Sequence, residues 1–199
     1  MRIYFVRHGD KANGDYFNPT LRHQDEPLTE AGLRKAAALA EYFAGRALGT
    51  VYASEYLRAW QTAQAVADRK GLFVIRDARL NEIDNGVVEA LGEAETERQF
   101  PLFWAEFHAR ASDVRFPGGE TGEEVKIRQA AFLESLVKDG RDALAVCHEG
   151  YIRLLACHIL GVPVYRRHLF KMDFCGILEI EFDEAADGWR LIRMNQTIL

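Results

Sequence analysis

Apolar residues along this chain fall into two recurring patterns. Short continuous runs occur at Arg2–Val6, Thr50–Ala53, Phe73–Ile75, Ala143–Cys147, Ile177–Phe182 and Trp189–Met194, and each predicts a strand. Between most of them the apolar positions recur at helical spacing. Leu28-Thr29-Glu30-Ala31-Gly32-Leu33 predicts a helix start, with Thr29 as N-cap and Leu28 and Leu33 at the two staple positions. That helix continues through Ala36, Leu39, Ala40 and Phe43 to a stop at Gly45. Ser54 is placed to cap a second helix through Arg58, Thr62 and Val66. Thr121-Gly122-Glu123-Glu124 has capping-box spacing and opens a third, ending near Gly140; Gly150 to Gly161 forms a fourth. Strands alternating with helices predict an α/β domain with a largely parallel central sheet.

Residues 93–111 read as a helical insertion, and no repeat, low-complexity stretch or linker divides residues 1–199, which are expected to form one domain. Asp10 to Pro27 is a polar loop of the length that often carries function. A chain of 199 residues, 48% hydrophobic and 28% charged, is long enough for a sizeable core. The net charge of −5 argues against nucleic acid or an acidic membrane as partner, but a locally basic pocket can still take a small anion. The most apolar stretch, Leu154–Val164, contains His158 and is broken by Pro163, so no membrane span is predicted. The chain enters a strand at once, which predicts no leader and a cytoplasmic location. Cys147, Cys157 and Cys175 form no CxxC pair and are expected to be buried, reduced thiols.

In open α/β sheets, ligands bind beyond the carboxyl ends of the strands. Arg7 and His8 leave the first strand there, and His148 leaves the fourth in Ala145-Val146-Cys147-His148-Glu149-Gly150. Arg58 sits on the first turns of the helix after the second strand. Two guanidiniums, two imidazoles and a helix N-terminus near Glu149 suit a dianionic phosphoryl group. Two histidines without a cluster of carboxylates or thiolates do not suit a metal, and His148-Glu149-x-x-Ile152 fails the zinc HExxH pattern at its last position. No Walker loop points to a nucleotide-driven kinase. His23, His108, His158 and His168 have no motif support, and Phe103, Trp104 and Phe107 read as core or lid packing.

Six stretches together resemble the histidine phosphatase superfamily in its phosphoglycerate mutase-like branch. They are Val6-Arg7-His8-Gly9, Pro27-Leu28-Thr29-Glu30-Ala31-Gly32, Ser54 with Leu57-Arg58-Ala59 and Gln61-Thr62-Ala63, Leu80-Asn81-Glu82-Ile83-Asp84-Asn85-Gly86, Pro117-Gly118-Gly119-Glu120-Thr121, and His148-Glu149-Gly150-Tyr151-Ile152-Arg153. The resemblance implies a three-layer fold, no cofactor and a small phosphorylated substrate. It assigns His8 as nucleophile, Arg7, Arg58 and His148 as phosphoryl ligands, and Glu82 as proton donor, with Asp84 a nearby rival. The implied activity is a metal-independent phosphatase of histidine acid phosphatase type, working through a phosphohistidine. The alternatives are a phosphoglycerate mutase-type phosphotransferase, disfavoured by the short chain, and a catalytically lapsed phospho-ligand binder. A phosphohistidine-protein phosphatase is a narrower variant, suggested by Asp10 standing where many relatives have glutamate. Arg22 and Gln24 stand near the family's Arg-x-Gln, which makes Arg22 a candidate substrate ligand. Val88 replaces a frequent tryptophan. Glu149 replaces a usual glycine; its charge would repel phosphate, so its side chain is expected to turn outward and meet a second group of the substrate. The oligomeric state is open.

Overall fold

The structure, a computed structural model, describes residues 1–21 and 23–198. In chain order the strands and helices are β1 (Arg2–Arg7), β2 (Phe17–Asn18), β3 (His23–Gln24), α1 (Glu30–Ala44), β4 (Thr50–Ala53), α2 (Leu57–Lys70), β5 (Val74–Arg76), α3 (Val87–Leu91), α4 (Glu93–Gln99), α5 (Pro101–Ala109), α6 (Gly122–Asp139), β6 (Ala143–Cys147), α7 (Glu149–Leu160), β7 (Ile177–Asp183) and β8 (Gly188–Gln196). Short 3₁₀ turns lie at Ala78–Leu80 and Val164–Leu169.

Six strands form one sheet in the order β5-β4-β6-β1-β7-β8. The first four are parallel, while β7 and β8 close one side as an antiparallel hairpin. A parallel strand covered on both faces needs apolar side chains on both, which is why β1 and β6 read as continuous runs. On one face Tyr4, Val6, Val51 and Val146 pack against α1 and α2 through Leu39, Phe43 and Val66. On the other, Ile3, Phe5 and Ala145 pack against α6 and α7 through Phe132, Leu136 and Leu154. The result is the expected three-layer α/β fold with a largely parallel sheet.

The helix ends follow the chemistry of their residues, with one exception. Thr29 caps α1 by accepting the Gly32 amide at 3.1 Å. Thr121 and Glu124 make the reciprocal capping box of α6, and Gly140 ends that helix in the left-handed region. Leu28 is buried, but its staple partner Leu33 is half exposed, at the edge of the stripe Gly32, Ala36, Leu39, Phe43. Ser54 does not cap α2, which begins only at Leu57. Its amide instead extends the sheet to the Val146 carbonyl, and its hydroxyl meets His148; the Leu57 amide goes to Asp25 at 2.6 Å. The stretch 93–111 holds two helices, because Pro101 cannot continue α4 and starts α5 instead. The run Phe73–Ile75 pairs one residue later, leaving Phe73 90% exposed beside the edge strand β5. The three cysteines are free and buried. Among the described residues no helix is long and apolar enough to cross a membrane.

Candidate active site

Sheet register brings the two histidines together. Arg7 of β1 lies opposite Cys147 of β6, and Ala53 of β4 lies opposite Val146. The next residues on these three neighbouring strands are His8, His148 and Ser54. The His8 and His148 ring centres are 5.2 Å apart, and the Ser54 hydroxyl is 2.7 Å from His148 Nε2. The His8 amide continues the ladder to the Cys147 carbonyl at 2.9 Å. Gly9 then passes against α1 so closely that a Cβ there would stand 2.8 Å from the Gly32 carbonyl oxygen. Its amide is held by the Thr62 hydroxyl at 3.0 Å. The glycine after His8 is thus required by the approach of α1.

His8 Nδ1 lies 2.7 Å from the Gly9 carbonyl, which can only accept, so Nδ1 carries the proton. Nε2 then offers its lone pair and accepts from Arg58 Nε at 3.3 Å. Burial, followed by the Arg58 charge, holds His8 well below the ordinary imidazole value, so it is neutral near pH 7. His148 is lowered well below that value by burial and then by Arg58, and its Nδ1 has no partner among the described residues.

Arg58 is positioned by groups that sequence reasoning missed. Its guanidinium lies over the Tyr56 ring and pairs with buried Glu26 at 3.1 Å. Glu26 also receives Lys11 at 2.6 Å. A buried carboxylate holding two cations fixes them more firmly than an exposed pair would. Only the coincidence of Lys11 and Glu26 inside the long polar loop could have signalled this. Asp10 turns aside to Lys35 at 2.9 Å.

Glu82 enters from the turn after β5. Leu80 anchors that turn in the core, and Asn81 exchanges hydrogen bonds with Glu55. The Glu82 carboxylate accepts the Gly150 and Tyr151 amides at the start of α7, at 3.1 and 2.8 Å, and its own neighbour Ile83 at 3.0 Å. A Cβ on Gly150 would lie 2.8 Å from a Glu82 oxygen, so a side chain there would push the carboxylate from this seat. Asp84 instead accepts the Gly86 amide at 2.7 Å and faces His23. Arg7, His8, Lys11, Arg58, Glu82, His148 and Glu149 all line one cavity of about 250 Å³, which Asp84 does not reach.

Glu149 departs from its expected orientation. It turns in, pairing with Arg7 at 2.9 Å and reaching Arg153 at 3.5 Å. Two guanidiniums offset the charge that was expected to drive it outward. Arg7 itself donates to the Met172 carbonyl at 2.6 Å and rests on the Phe174 ring. Val88 lines the cavity as well. Arg22 lies outside the described residues. Phe103 and Trp104 are buried, as core packing requires, whereas His23 pairs with Glu89 of α3 at 3.0 Å. No group of three or more metal-ligating side chains occurs among the described residues.

A neutral, oriented imidazole at the carboxyl edge of a largely parallel sheet, ringed by guanidiniums, is an arrangement suited to a phosphoryl group in an α/β protein. The chain belongs to the histidine phosphatase superfamily (branch 1), whose family model matches residues 3–197. It is 31% identical over 197 residues to a protein of Enterobacter sp. (strain 638) described as probable phosphoglycerate mutase GpmB, covering 95% of this chain and 90% of that one. It also resembles the mycobacterial glucosyl-3-phosphoglycerate phosphatase solved with inorganic phosphate, at 26% identity and TM-score 0.83, covering 99% and 98% of the two chains. The alpha-ribazole phosphatase from Shigella flexneri shares the fold, at 22% identity and TM-score 0.81, covering 98% and 96%.

Proposed function

We propose that the chain is a metal-independent phosphomonoesterase of histidine acid phosphatase type, acting on a small phosphorylated metabolite in the cytoplasm through a phosphohistidine on His8. One observation carries this reading: His8 is a buried imidazole whose proton is fixed on Nδ1, so the lone pair lies on Nε2, where it accepts from Arg58 and sits among three cationic side chains. Nε2 attacks phosphorus as the ester P–O bond breaks. The leaving oxygen takes a proton from Glu82 in its protonated form. Arg7, Arg58 and Lys11 balance charge on the transferring group, and His148, with Ser54 donating to Nε2, offers Nδ1–H to a phosphoryl oxygen. Water then attacks the phosphohistidine and gives its proton to Glu82. The N–P bond breaks, and inorganic phosphate leaves with His8 neutral again.

The mutase-type reading is favoured by the description of the 31% identical relative. The two readings differ in what accepts the phosphoryl group, water or a second hydroxyl. Turnover of p-nitrophenyl phosphate, unaffected by a chelator, should build an acid-labile, base-stable phosphoryl group on His8, and His8→Ala should abolish label and turnover together. A label elsewhere, or activity in His8→Ala, overturns the nucleophile. Interconversion of 2- and 3-phosphoglycerate with little phosphate released would replace hydrolysis by the mutase reaction.

A further inference from the structure

A second cavity, of about 370 Å³, adjoins the first, and Glu82 and Glu149 line both. Phe107, Phe116 and Tyr165 give it aromatic walls, and Arg110, Arg153 and Arg167 give it cations. Its carboxylates are already engaged. Glu82 holds three amides, Asp113 accepts the Gly122 and Glu123 amides at 2.9 Å each, and Glu149 pairs with Arg7. Arg167 is different. Its guanidinium rests 5.5 and 5.7 Å from the Phe116 and Phe107 ring centres, and among the described residues it makes no hydrogen bond or ion pair. Burial pulls it below the ordinary arginine value, and Asp113 opposes this only in part. Arg153 reaches under it, donating Nε to the Arg167 carbonyl at 2.9 Å. A half-buried guanidinium stacked on rings, with its fork open to a cavity, is a receptor for a planar anion.

We propose that this cavity receives the non-phosphoryl end of the substrate and that this end carries a carboxylate, bound by Arg167 with Arg153 beside it. The inference rests on the phosphatase reading for the other end. A carboxylate fits better than a second phosphate, because its planar pair of oxygens matches the guanidinium fork stacked on the rings, and because Asp113 and Glu149 on the same lining oppose the second charge of a dianion. The cavity volume leaves room for a small organic body between the two charges.

The matched pair 3-phosphoglycerate and glycerol 3-phosphate, which differ by a carboxylate against a hydroxymethyl group, tests this. Calorimetric binding to the His8→Ala protein should favour the carboxylate about tenfold or more. Adding Arg167→Gln should erase that preference and leave glycerol 3-phosphate within about twofold. If Arg167→Gln melts far below its parent, Arg167→Lys carries the test: the preference should shrink severalfold without vanishing. No preference in the parent, no binding of either ligand, an unchanged preference in the variants, or equal loss of both ligands overturns the carboxylate site. Tighter binding of 2,3-bisphosphoglycerate through Arg167 overturns it in favour of a second phosphate. Binding alone decides this, so it stands or falls separately from turnover and the His8 label.

Discussion

Lowering the pH from 7.5 to 5.5 should weaken the fold by about 2.7 kcal/mol through His8 and His148 alone. Both are buried, and burial, then Arg58, holds each well below the ordinary imidazole value. Unfolded, each titrates near the ordinary imidazole value of about 6.5. Below that pH the unfolded chain takes up protons that the native protein refuses. The stabilisation is therefore complete above the unfolded value and is lost as the pH falls beneath it. A histidine that stays neutral when folded gives up about 1.4 kcal/mol over this interval, and two give up twice that. His158, lowered by burial, adds in the same direction. Glu26 is lowered because Lys11 and Arg58 outweigh its burial, but its unfolded counterpart titrates near 4.5, so it matters only at lower pH. Urea unfolding followed by tryptophan fluorescence at the two pH values gives the difference directly. His8→Gln and His148→Gln should each remove about one histidine's share. Equal stability at both pH values, or a double variant that keeps the whole of the difference, would refute the neutral pair.

Glu82→Gln should slow hydrolysis of alkyl phosphates by about 10²–10⁴-fold and of an aryl phosphate far less, because only a poor leaving group needs the proton; Asp84→Asn showing that pattern instead would reassign the acid. Glu26→Gln should lower kcat/KM for every phosphate ester alike and cost roughly 1.5–3 kcal/mol in chemical denaturation, since Arg58 loses its buried charged partner; an unchanged rate would mean Arg58 keeps its place without it. Gly150→Ala should reproduce the leaving-group dependence of Glu82→Gln with the carboxylate still present, since the new Cβ meets the Glu82 oxygen. Comparing alkyl with aryl esters checks this, and uniform slowing would contradict it.

What could be read from the sequence was local or periodic. The strands at Thr50–Ala53 and Ala143–Cys147 appear where the apolar runs lie, since strands covered on both faces have few polar positions to blur the pattern. The caps at Thr29 and Thr121 depend on one side chain and an amide a few residues on, so they too were legible. Ser54 looked like a cap by the same logic, but a partner on another strand, His148, took its hydroxyl. Contacts distant in sequence also account for Glu26, which pairs with Arg58, and Arg167, which rests on Phe107 and Phe116. One lies in a polar loop and the other in a basic turn, and nothing near either residue marks what it faces. Glu149 was misjudged because its balance depends on Arg7, far away in sequence but next to it across the strand end.

The Arg7–Glu149 pair has a consequence for which anions the pocket admits. An incoming ligand does not meet a bare guanidinium; it must compete with a tethered carboxylate already 2.9 Å away. The tether keeps that competitor at high local concentration whatever is dissolved outside. A singly charged ion such as chloride brings no more charge than Glu149 and has little advantage over it. A phosphate dianion brings twice as much and can draw on Arg58 and Lys11 as well. On the proposed function the pair would thus set a charge threshold, which a doubly ionised phosphoryl group would cross more readily than a monovalent anion.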